Sequence, residues 1–501
     1  MDCVLGLDIG TTSTIGILVD PPNRRIVATA SRPVTLSAPH PGWAEEDPAQ
    51  WWTNVCAIVR ELLGAAPGSR VAAVGVAGMV PALILLDRDG HCLRPSIQQS
   101  DGRCEREVAE IAARIAEPEF LGMTGNGINQ QLILAKLRWI ARHEPDTLAR
   151  LATIMGSYDY IGFRLTGQRR IERNWALEGG LVDLATGTVS PRLCSLGGID
   201  PAWLPPLVGS TEIAGLVTPS AAAATGLAPG TPVIGGVADH VASAYAAGVN
   251  APGTVLLKFG GAGDVLASAS AARPDRRLFL DYHAIPGRFM PNGCMASTGS
   301  LLNWVAATLC AHEEGAARAA GRRLHAHLDE LAAAVPPGCE GLVMLPYFLG
   351  EKSPIHDPQA RGVLAGLSLG HGVGHIWRAA LEGTGYAFRH HVEVFAELGH
   401  APDRLLASDG GSCSPVWMQI VADLHGRPVQ VLSGHPGSCL GSAWLAAIGA
   451  GFGVDYDGVA DFVSLGRLHE PDVTLGPLYD EGYARFRDLY RRLASWFAAR
   501  D

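Results

Sequence analysis

The chain has 501 residues, 48% of them hydrophobic and 18% charged, and its formal net charge is −10. Nucleic acid and membrane surfaces are disfavoured as partners, because either needs a concentrated basic face and the arginines here are scattered. No apolar run reaches the ~18–20 residues of a membrane span, and no leader-like pattern precedes the first strand. The ten cysteines lack paired spacing, which is typical of reduced core residues and predicts a cytoplasmic location.

A turn rich in hydroxyl residues joins the first two predicted strands, residues 4–7 and 15–19. Its Thr11, Thr12 and Ser13 supply hydroxyls and backbone N–H groups, the donors that a polyphosphate needs. Asp8, where the first strand ends, is placed to hold Mg²⁺ through water. The alternative is an ordinary turn whose polar side chains bond their own backbone.

Strands and helices alternate through the rest of the first half. Apolar runs predict strands at residues 71–76 and 83–87, and helical periodicity predicts helices at 51–63, 106–115 and 131–142. This alternation indicates an α/β architecture.

An acidic residue stands between a strand and a helix near the middle of the chain. Asp239 follows an apolar segment at residues 233–238 and precedes a predicted helix at 241–247. In phosphoryl transfer an enzyme mainly positions the reacting groups. A carboxylate that orients the attacking hydroxyl and accepts its proton is therefore sufficient. We interpret Asp239 as such a base, with a helix N-cap as the alternative.

A second hairpin repeats the plan of the first. Residues 254–259 predict a strand, Gly260 and Gly261 begin a glycine-rich turn, and residues 265–267 predict the returning strand. Such duplication predicts two similar domains with a shared cleft, where ligand sites commonly lie. We place the boundary near residues 248–253, which gives domains 1–250 and 251–501.

Together these segments resemble the FGGY carbohydrate kinases, and within that family the xylulokinase-like members. Residues 362–367 and 375–382, seven residues apart, fit the family's C-terminal signature at every position. Residues 39–48 and 347–358 are also similar to family segments. The resemblance implies two actin-like ATPase domains, ribonuclease H-like and of the α/β class, which flank a central cleft. The first would carry sugar binding, one phosphate loop and the catalytic aspartate, and the second the other phosphate loop and the adenosine site.

The resemblance also implies roles for individual residues. Asp239 would be the catalytic base and Asp8 the carboxylate on the metal side, and both would hold Mg²⁺ through water. The residues implied to contact the nucleotide are Thr11, Thr12, Ser13, Gly260, Gly261, Gly299, Asn303, Gly410 and Gly411.

Two departures from the family pattern concern the ligand sites. Gly261 stands where a threonine usually follows the first glycine of the second phosphate loop, so one hydroxyl donor is absent. Met79, Val80 and Pro81 stand where xylulokinases present Gln-Met-His to the sugar, and proline offers no hydrogen-bond donor. Asp101, in a polar loop, is a further candidate sugar contact, with a solvated loop or a local aspartate–arginine pair as the alternatives.

We therefore expect phosphorylation of a small sugar with ATP and Mg²⁺, and a ketopentose such as xylulose is the first candidate. Kinases for ribulose, fuculose, erythritol or glycerol are alternatives, because selective recognition of a polyol depends on buried hydrogen-bond partners. An actin-like ATPase with a conformational cycle and a non-catalytic sugar or nucleotide sensor are further hypotheses. The expected partner is the small-molecule sugar, and no nucleic acid or membrane partner is expected. For the oligomeric state, a homodimer is one open alternative.

Overall fold

Two seven-stranded mixed sheets form the framework of the protein, whose computed structural model describes residues 1–434 and 437–499. The strands of the first sheet are, in order across it, Ile213–Leu216, Pro232–Ile234, Arg70–Gly78, Asp2–Ile9, Ser13–Asp20 and Arg25–Pro33, with Val237–Ala238 also paired to Arg70–Gly78. Those of the second sheet are Phe279–Tyr282, Phe289–Met295, Gly263–Ala267, Thr254–Phe259, Arg404–Ser408, Val429–Ser433 and Ser464–His469.

The two sheets share one pattern of strand directions. In the first, Asp2–Ile9 pairs antiparallel with the strand that follows it in sequence and parallel with Arg70–Gly78 on its other side. In the second, Thr254–Phe259 pairs antiparallel with its own successor and parallel with Arg404–Ser408. An antiparallel edge strand closes the parallel side of each sheet. The duplication expected from the two hairpins is therefore present at the level of whole sheets.

Helices cover the faces of both sheets. Their bounds are Pro48–Ala65, Glu105–Ala112, Glu117–Thr124, Ile133–His143, Pro145–Arg150, Ser157–Thr166, Arg173–Glu178, Pro191–Gly197, Pro219–Thr225, Asp239–Ala246, Gly299–Leu309, Glu313–Ala319, Leu324–Ala333, Val373–Glu397, Pro415–His425, Ser438–Gly449 and Gly476–Ala498. Short two-stranded ladders pair Glu45–Glu46 with Ser96–Ile97, Ile84–Leu86 with Thr153–Met155, Ile171–Glu172 with Leu207–Val208, Val182–Asp183 with Thr188–Val189, and Val343–Leu345 with Val363–Ala365. Over residues 1–434 and 437–499, no helix combines the length and apolar character needed to cross a bilayer.

Helix Ser438–Gly449, here called the crossing helix, comes late in the chain but packs on the first sheet. Its buried residues belong to the same core as the strands of that sheet. It passes the two central strands at Gly6 and Gly75, where an added Cβ would lie 2.1 Å and 2.0 Å from carbonyl oxygens of the helix. Only glycine permits so close an approach. A division at residue 250 puts the strands of the two sheets in different domains. It also puts the crossing helix in the second domain, although this helix packs on the first sheet.

Candidate active site

Asp8 and Asp239 lie at the same edge of the first sheet, because each stands at the carboxyl end of a strand in its parallel part. Asp8 is paired in register with Ala77, and the strand Val237–Ala238 ends beside Gly78, one residue further along. Asp239 is the first residue of helix Asp239–Ala246, whose N-cap is Ala238, so it is not the N-cap that the sequence left open. Both carboxylates line one cleft of about 420 Å³.

The two carboxylates influence each other electrostatically. Burial, and then the charge of Asp239, raise the pKa of Asp8 to about 7. Burial acts in the same direction on Asp239, but hydrogen bonding to His240 and the charges of His240 and Lys258 outweigh it, so the pKa of Asp239 is lowered. Asp8 Oδ1 is buried and has no hydrogen-bond partner in the part of the chain that the structure describes. An orphaned oxygen beside a second carboxylate fits Mg²⁺, a hard cation that prefers oxygen ligands.

His240 connects Asp239 to the second sheet. The backbone N–H of His240 donates to Asp239 Oδ1 over 2.6 Å, and its Nε2 lies 2.8 Å from Asp281 Oδ2. Asn292 Nδ2 donates to the same Asp281 oxygen over 2.8 Å. Glu178 Oε1 lies 4.0 Å from His240 Nε2, and burial and Asp281 raise the pKa of Glu178. Sequence reasoning missed this cluster, since its members come from distant segments.

The predicted second phosphate loop is held in place by hydrogen bonds from the segment that begins helix Gly299–Leu309. Thr298 Oγ1 donates to Gly260 O over 2.7 Å, and the N–H of Gly299 donates to the same oxygen over 2.9 Å. A Cβ on Gly299 would lie 2.6 Å from Gly260 O, so glycine is required there. A Cβ on Gly261 would meet nothing within 4 Å, which leaves this position open to a side chain.

A second cavity of about 570 Å³ adjoins that loop. Six of the predicted nucleotide contacts line it: Gly260, Gly261, Gly299, Asn303, Gly410 and Gly411. Aromatic rings of Trp377 and Trp417 line the same cavity, and a Cβ on Gly411 would lie 2.5 Å from the Trp417 ring. A pocket with apolar walls and glycine edges is suited to a flat heterocycle such as adenine.

The predicted first phosphate loop lies beside Asp8, on the turn between strands Asp2–Ile9 and Ser13–Asp20. Gly10 N–H donates to Ser13 O over 3.1 Å and closes this turn. Thr12 is exposed, and Thr11 and Ser13 are half-buried, so all three are accessible to a ligand.

The predicted sugar contacts divide into two sets. Met79 and Val80 line the cleft that holds Asp8 and Asp239. Pro81 is absent from that lining and accepts a hydrogen bond at its carbonyl from Lys136 Nζ over 2.8 Å. Asp101 is fully buried and pairs with Arg103 over 2.7 Å, which is the local ion pair that the sequence left as its alternative.

Other residues of the cleft carry hydrogen-bonding groups suited to a polyol. Besides Glu178, His240 and Asn292, the polar lining includes Gln99, Gln131, Lys258, Asp264, Lys352 and Asp409. Lys258 had a visible signal in the sequence, because it is a lone charge within the apolar run of residues 255–259.

Two duplicated sheets, a cleft with two carboxylates and an adjoining glycine-edged pocket are the parts of an ATP-dependent kinase for small molecules. Family models agree with this class: the N-terminal domain of the FGGY family of carbohydrate kinases matches residues 3–246, and its C-terminal domain matches residues 266–450. The chain belongs to the FGGY family of carbohydrate kinases. The expected fold class and carbohydrate kinase activity are thereby confirmed.

Individual relatives resemble the chain over nearly its whole length. A solved structure of xylulose kinase from Rhodospirillum rubrum is 55% identical, covers 99% of this chain and 100% of its own, and has a TM-score of 0.94. The xylulose kinase of Escherichia coli (strain K12) is 31% identical over 492 residues, 98% of this chain and 99% of its own. That of Bacillus subtilis (strain 168) is 28% identical over 508 residues, 99% of each chain.

Proposed function

We propose that the sugar phosphorylated by this kinase is xylulose. The xylulose kinase of Rhodospirillum rubrum, with 55% identity and a TM-score of 0.94, supports this substrate. The polar lining of the cleft supplies donors and acceptors in place of the histidine that Pro81 replaces, among them Gln99, His240 and Asn292. Hydroxyl recognition depends on such partners, because a polar group left unpaired in the site costs binding.

A neutral sugar fits the charge of the cleft better than a sugar acid. Asp239, Asp264 and Asp409 line the cleft and outnumber its two lysines, and the His240 ring is paired with the buried Asp281. A carboxylate on the acceptor would add repulsion to a site that must also receive the phosphates of ATP. This observation favours a ketose or polyol over an aldonic acid.

In the proposed reaction, Asp239 Oδ orients one sugar hydroxyl and accepts its proton as the hydroxyl oxygen bonds to the γ-phosphorus of ATP. The bond from that phosphorus to the oxygen of ADP breaks, which leaves sugar phosphate and ADP. The lowered pKa of Asp239 keeps the carboxylate ionised and ready to accept the proton. The observation that carries this role is the position of Asp239 beside Asp8 in the cleft between the two sheets.

The remaining ligand contacts are proposed on position and chemistry. Mg²⁺ would be held by Asp8 and Asp239 through water, and when bound it neutralises charge on the phosphate oxygens. Thr11, Thr12 and Ser13 would bind phosphates from one side, and the six glycine-pocket residues Gly260, Gly261, Gly299, Asn303, Gly410 and Gly411 would hold the rest of the nucleotide.

Sugar-dependent formation of ADP tests both the substrate and the base. Across xylulose, ribulose, fuculose, erythritol, glycerol and gluconate, we expect the highest kcat/KM with xylulose and the lowest with gluconate. Asp239→Asn is expected to lower kcat by about 10²–10⁴-fold while ATP still binds, because only the proton acceptor is lost.

Asp200→Asn is the matched control, since this exposed residue only caps a short turn through an oxygen that asparagine retains. Turnover retained by Asp239→Asn would exclude Asp239 as the base. A higher kcat/KM for another sugar would replace xylulose without touching the kinase class. A complete lack of turnover with binding intact would favour the sensor hypothesis.

We further propose that the enzyme works in the cytoplasm, which the ten free cysteines support. A homodimer is proposed as its assembly on the sequence expectation alone. Sedimentation equilibrium of the purified chain measures that assembly directly.

A further inference from the structure

Lys258 occupies the place in the second hairpin that Asp8 occupies in the first. Each is two residues before the first glycine of its phosphate loop, Gly10 in one hairpin and Gly260 in the other. Each also lies on the central strand where the antiparallel and parallel parts of its sheet meet. The two related loops therefore present opposite charges to one cleft, and Asp8 and Lys258 both line it.

Carboxylates surround the Lys258 ammonium. Its Nζ lies 3.5 Å from Asp264 Oδ2, its partner across the hairpin, and 19% of the side chain is exposed. Burial alone would lower the pKa of Lys258, but Asp264, Asp409 and Asp239 outweigh burial and raise it. The ammonium is thus charged and open to the cleft, and its ion pair is at the long end of hydrogen-bonding range.

The loop that follows Lys258 has no hydroxyl of its own, since residues 260–263 are three glycines and an alanine. The neighbouring hydroxyls of Thr298 and Ser300 donate to the carbonyl oxygens of Gly260 and Gly261. These two hydroxyls are therefore engaged in holding the loop. Apart from backbone N–H groups, Lys258 is the donor that this hairpin itself can offer to a phosphate.

The use of lysine is selective in this chain. Among its 39 basic residues only Lys136, Lys258 and Lys352 are lysines. Lys136 lies behind the wall of the cleft, bonded to Pro81 O, and the other two line the cleft. Lysine differs from arginine in being a compact point charge with three rotatable donors, a form well suited to a phosphate whose geometry changes during transfer.

We propose that the Lys258 ammonium binds the γ-phosphate of ATP and replaces the hydroxyl that Gly261 lacks. Asp264 positions the lysine from across the hairpin. The side chain moves with the transferred phosphoryl group, and its charge offsets the cluster of carboxylates that would otherwise repel the nucleotide. This role requires the kinase reaction and is independent of which sugar is used.

The wild-type protein provides a first test through its three lysines. An amine-acetylating reagent is applied with Mg²⁺ and either ADP or a non-hydrolysable ATP analogue, and each lysine is followed by mass spectrometry. We expect the analogue to slow acetylation of Lys258 at least about fivefold more than ADP does, because only the analogue carries a γ-phosphate. Equal slowing of Lys258 and Lys352 by both nucleotides would indicate closure of the cleft alone and would overturn the proposal.

Variants provide the second test. Lys258→Met with Asp264→Asn removes one charge of each sign, so no carboxylate loses its partner. By calorimetry without sugar, we expect the affinity ratio of ATP analogue to ADP to fall about tenfold or more. In turnover assays kcat should fall at least about 100-fold, while the KM of the sugar changes less than about threefold.

Restoring a hydroxyl distinguishes a phosphate contact from a structural role. Gly261→Thr added to that double variant should recover at least about tenfold in kcat, because the position is open to a side chain. Arg318→Met, an exposed arginine on helix Glu313–Ala319, is the control for loss of a positive charge. Equal loss of affinity for both nucleotides, or an unchanged ratio with kcat within about threefold of wild type, would overturn the proposal.

Discussion

Glu351 is a single carboxylate held out of water near the cleft. Its Oε1 accepts hydrogen bonds from the N–H groups of Ala296 over 2.7 Å and Lys352 over 2.8 Å, and only 5% of the residue is exposed. Burial raises the pKa of Glu351 to about 8 in spite of these donors. The folded state therefore favours the protonated form more than the unfolded chain does.

Stability from this group is fully present below the ordinary glutamate pKa and is lost as the pH rises toward 8. Glu351→Gln keeps the accepting oxygen but cannot ionise. As the pH rises from 5 to 8, we expect its unfolding free energy to increase relative to that of the wild type. The gain should be about 1.4 kcal/mol for each pH unit crossed between the ordinary glutamate pKa and about 8. Urea unfolding at the two pH values measures it.

Glu314→Gln is the control, since that side chain is 61% exposed. An identical difference between variant and wild type at both pH values would contradict the raised pKa of Glu351.

At the residue scale, the sequence showed those site residues whose signal is local. Asp8 is near the end of an apolar strand and Asp239 comes directly after one, so their position at the sheet edge could be predicted, although their roles stay predictions. His240 and Asp281 gave no such signal, because their contact joins residues 41 apart in the chain and depends on the packing of two sheets. Asp101 looked like a cleft residue from its polar loop, yet Arg103 engages it locally.

At the scale of elements, the crossing helix packs closely on the first sheet because the strands carry glycine at the points of contact. Gly75 is in a central strand, where an added Cβ would lie 2.0 Å from Ser442 O. A backbone oxygen cannot move aside as a flexible side chain would, so helix or strand must shift.

We expect Gly75→Ala to lower the unfolding free energy by about 3 kcal/mol, the upper end of overpacking costs. Gly64→Ala is the matched control on helix Pro48–Ala65, where the new methyl group meets nothing within 4 Å. Because alanine is the better helix former, that control should be neutral or stabilising by up to about 1 kcal/mol. Thermal and urea unfolding compare the two, and an equal effect would exclude the contact as the cause.

The hairpins and many helices could be predicted because their periodicity is contained in the segment itself. The helix expected at residues 51–63 is found at Pro48–Ala65, and that expected at 131–142 is found at Ile133–His143. The destination of the crossing helix could not be predicted, since it is apolar on nearly all sides and the strands Asp2–Ile9 and Arg70–Gly78 that it covers precede it by more than 350 residues. Periodicity reports a buried face but not the surface that buries it.

At the scale of the whole molecule, two asparagines join the halves by imitating a β-strand. Strand Phe279–Tyr282 is at the edge of the second sheet, and Asn126 bonds both the N–H and the C=O of Leu280. Asn174 does the same for Tyr282. An amide side chain has one donor and one acceptor side, so each asparagine satisfies two backbone groups of this edge.

We expect Asn174→Ala to lower the unfolding free energy by about 1–3 kcal/mol, because two partly buried backbone groups lose their partner. Hydrogen exchange of the Tyr282 amide should accelerate, since it loses the acceptor that protects it. Asn23→Ala, in an exposed turn where the asparagine side chain donates to Asp20, is the control and should leave that amide unchanged. Unchanged protection of Tyr282 in Asn174→Ala would show that the halves are held together elsewhere.

The crossing helix also constrains how the protein is made. The strands of the first sheet are synthesised early, yet the helix that covers Gly6 and Gly75 leaves the ribosome only after nearly the whole second half has been translated. Until then one apolar face of the nascent sheet stays uncovered and open to chaperones. Cutting the gene between the two sheets would make that interim condition permanent, so neither fragment is expected to accumulate as a folded product.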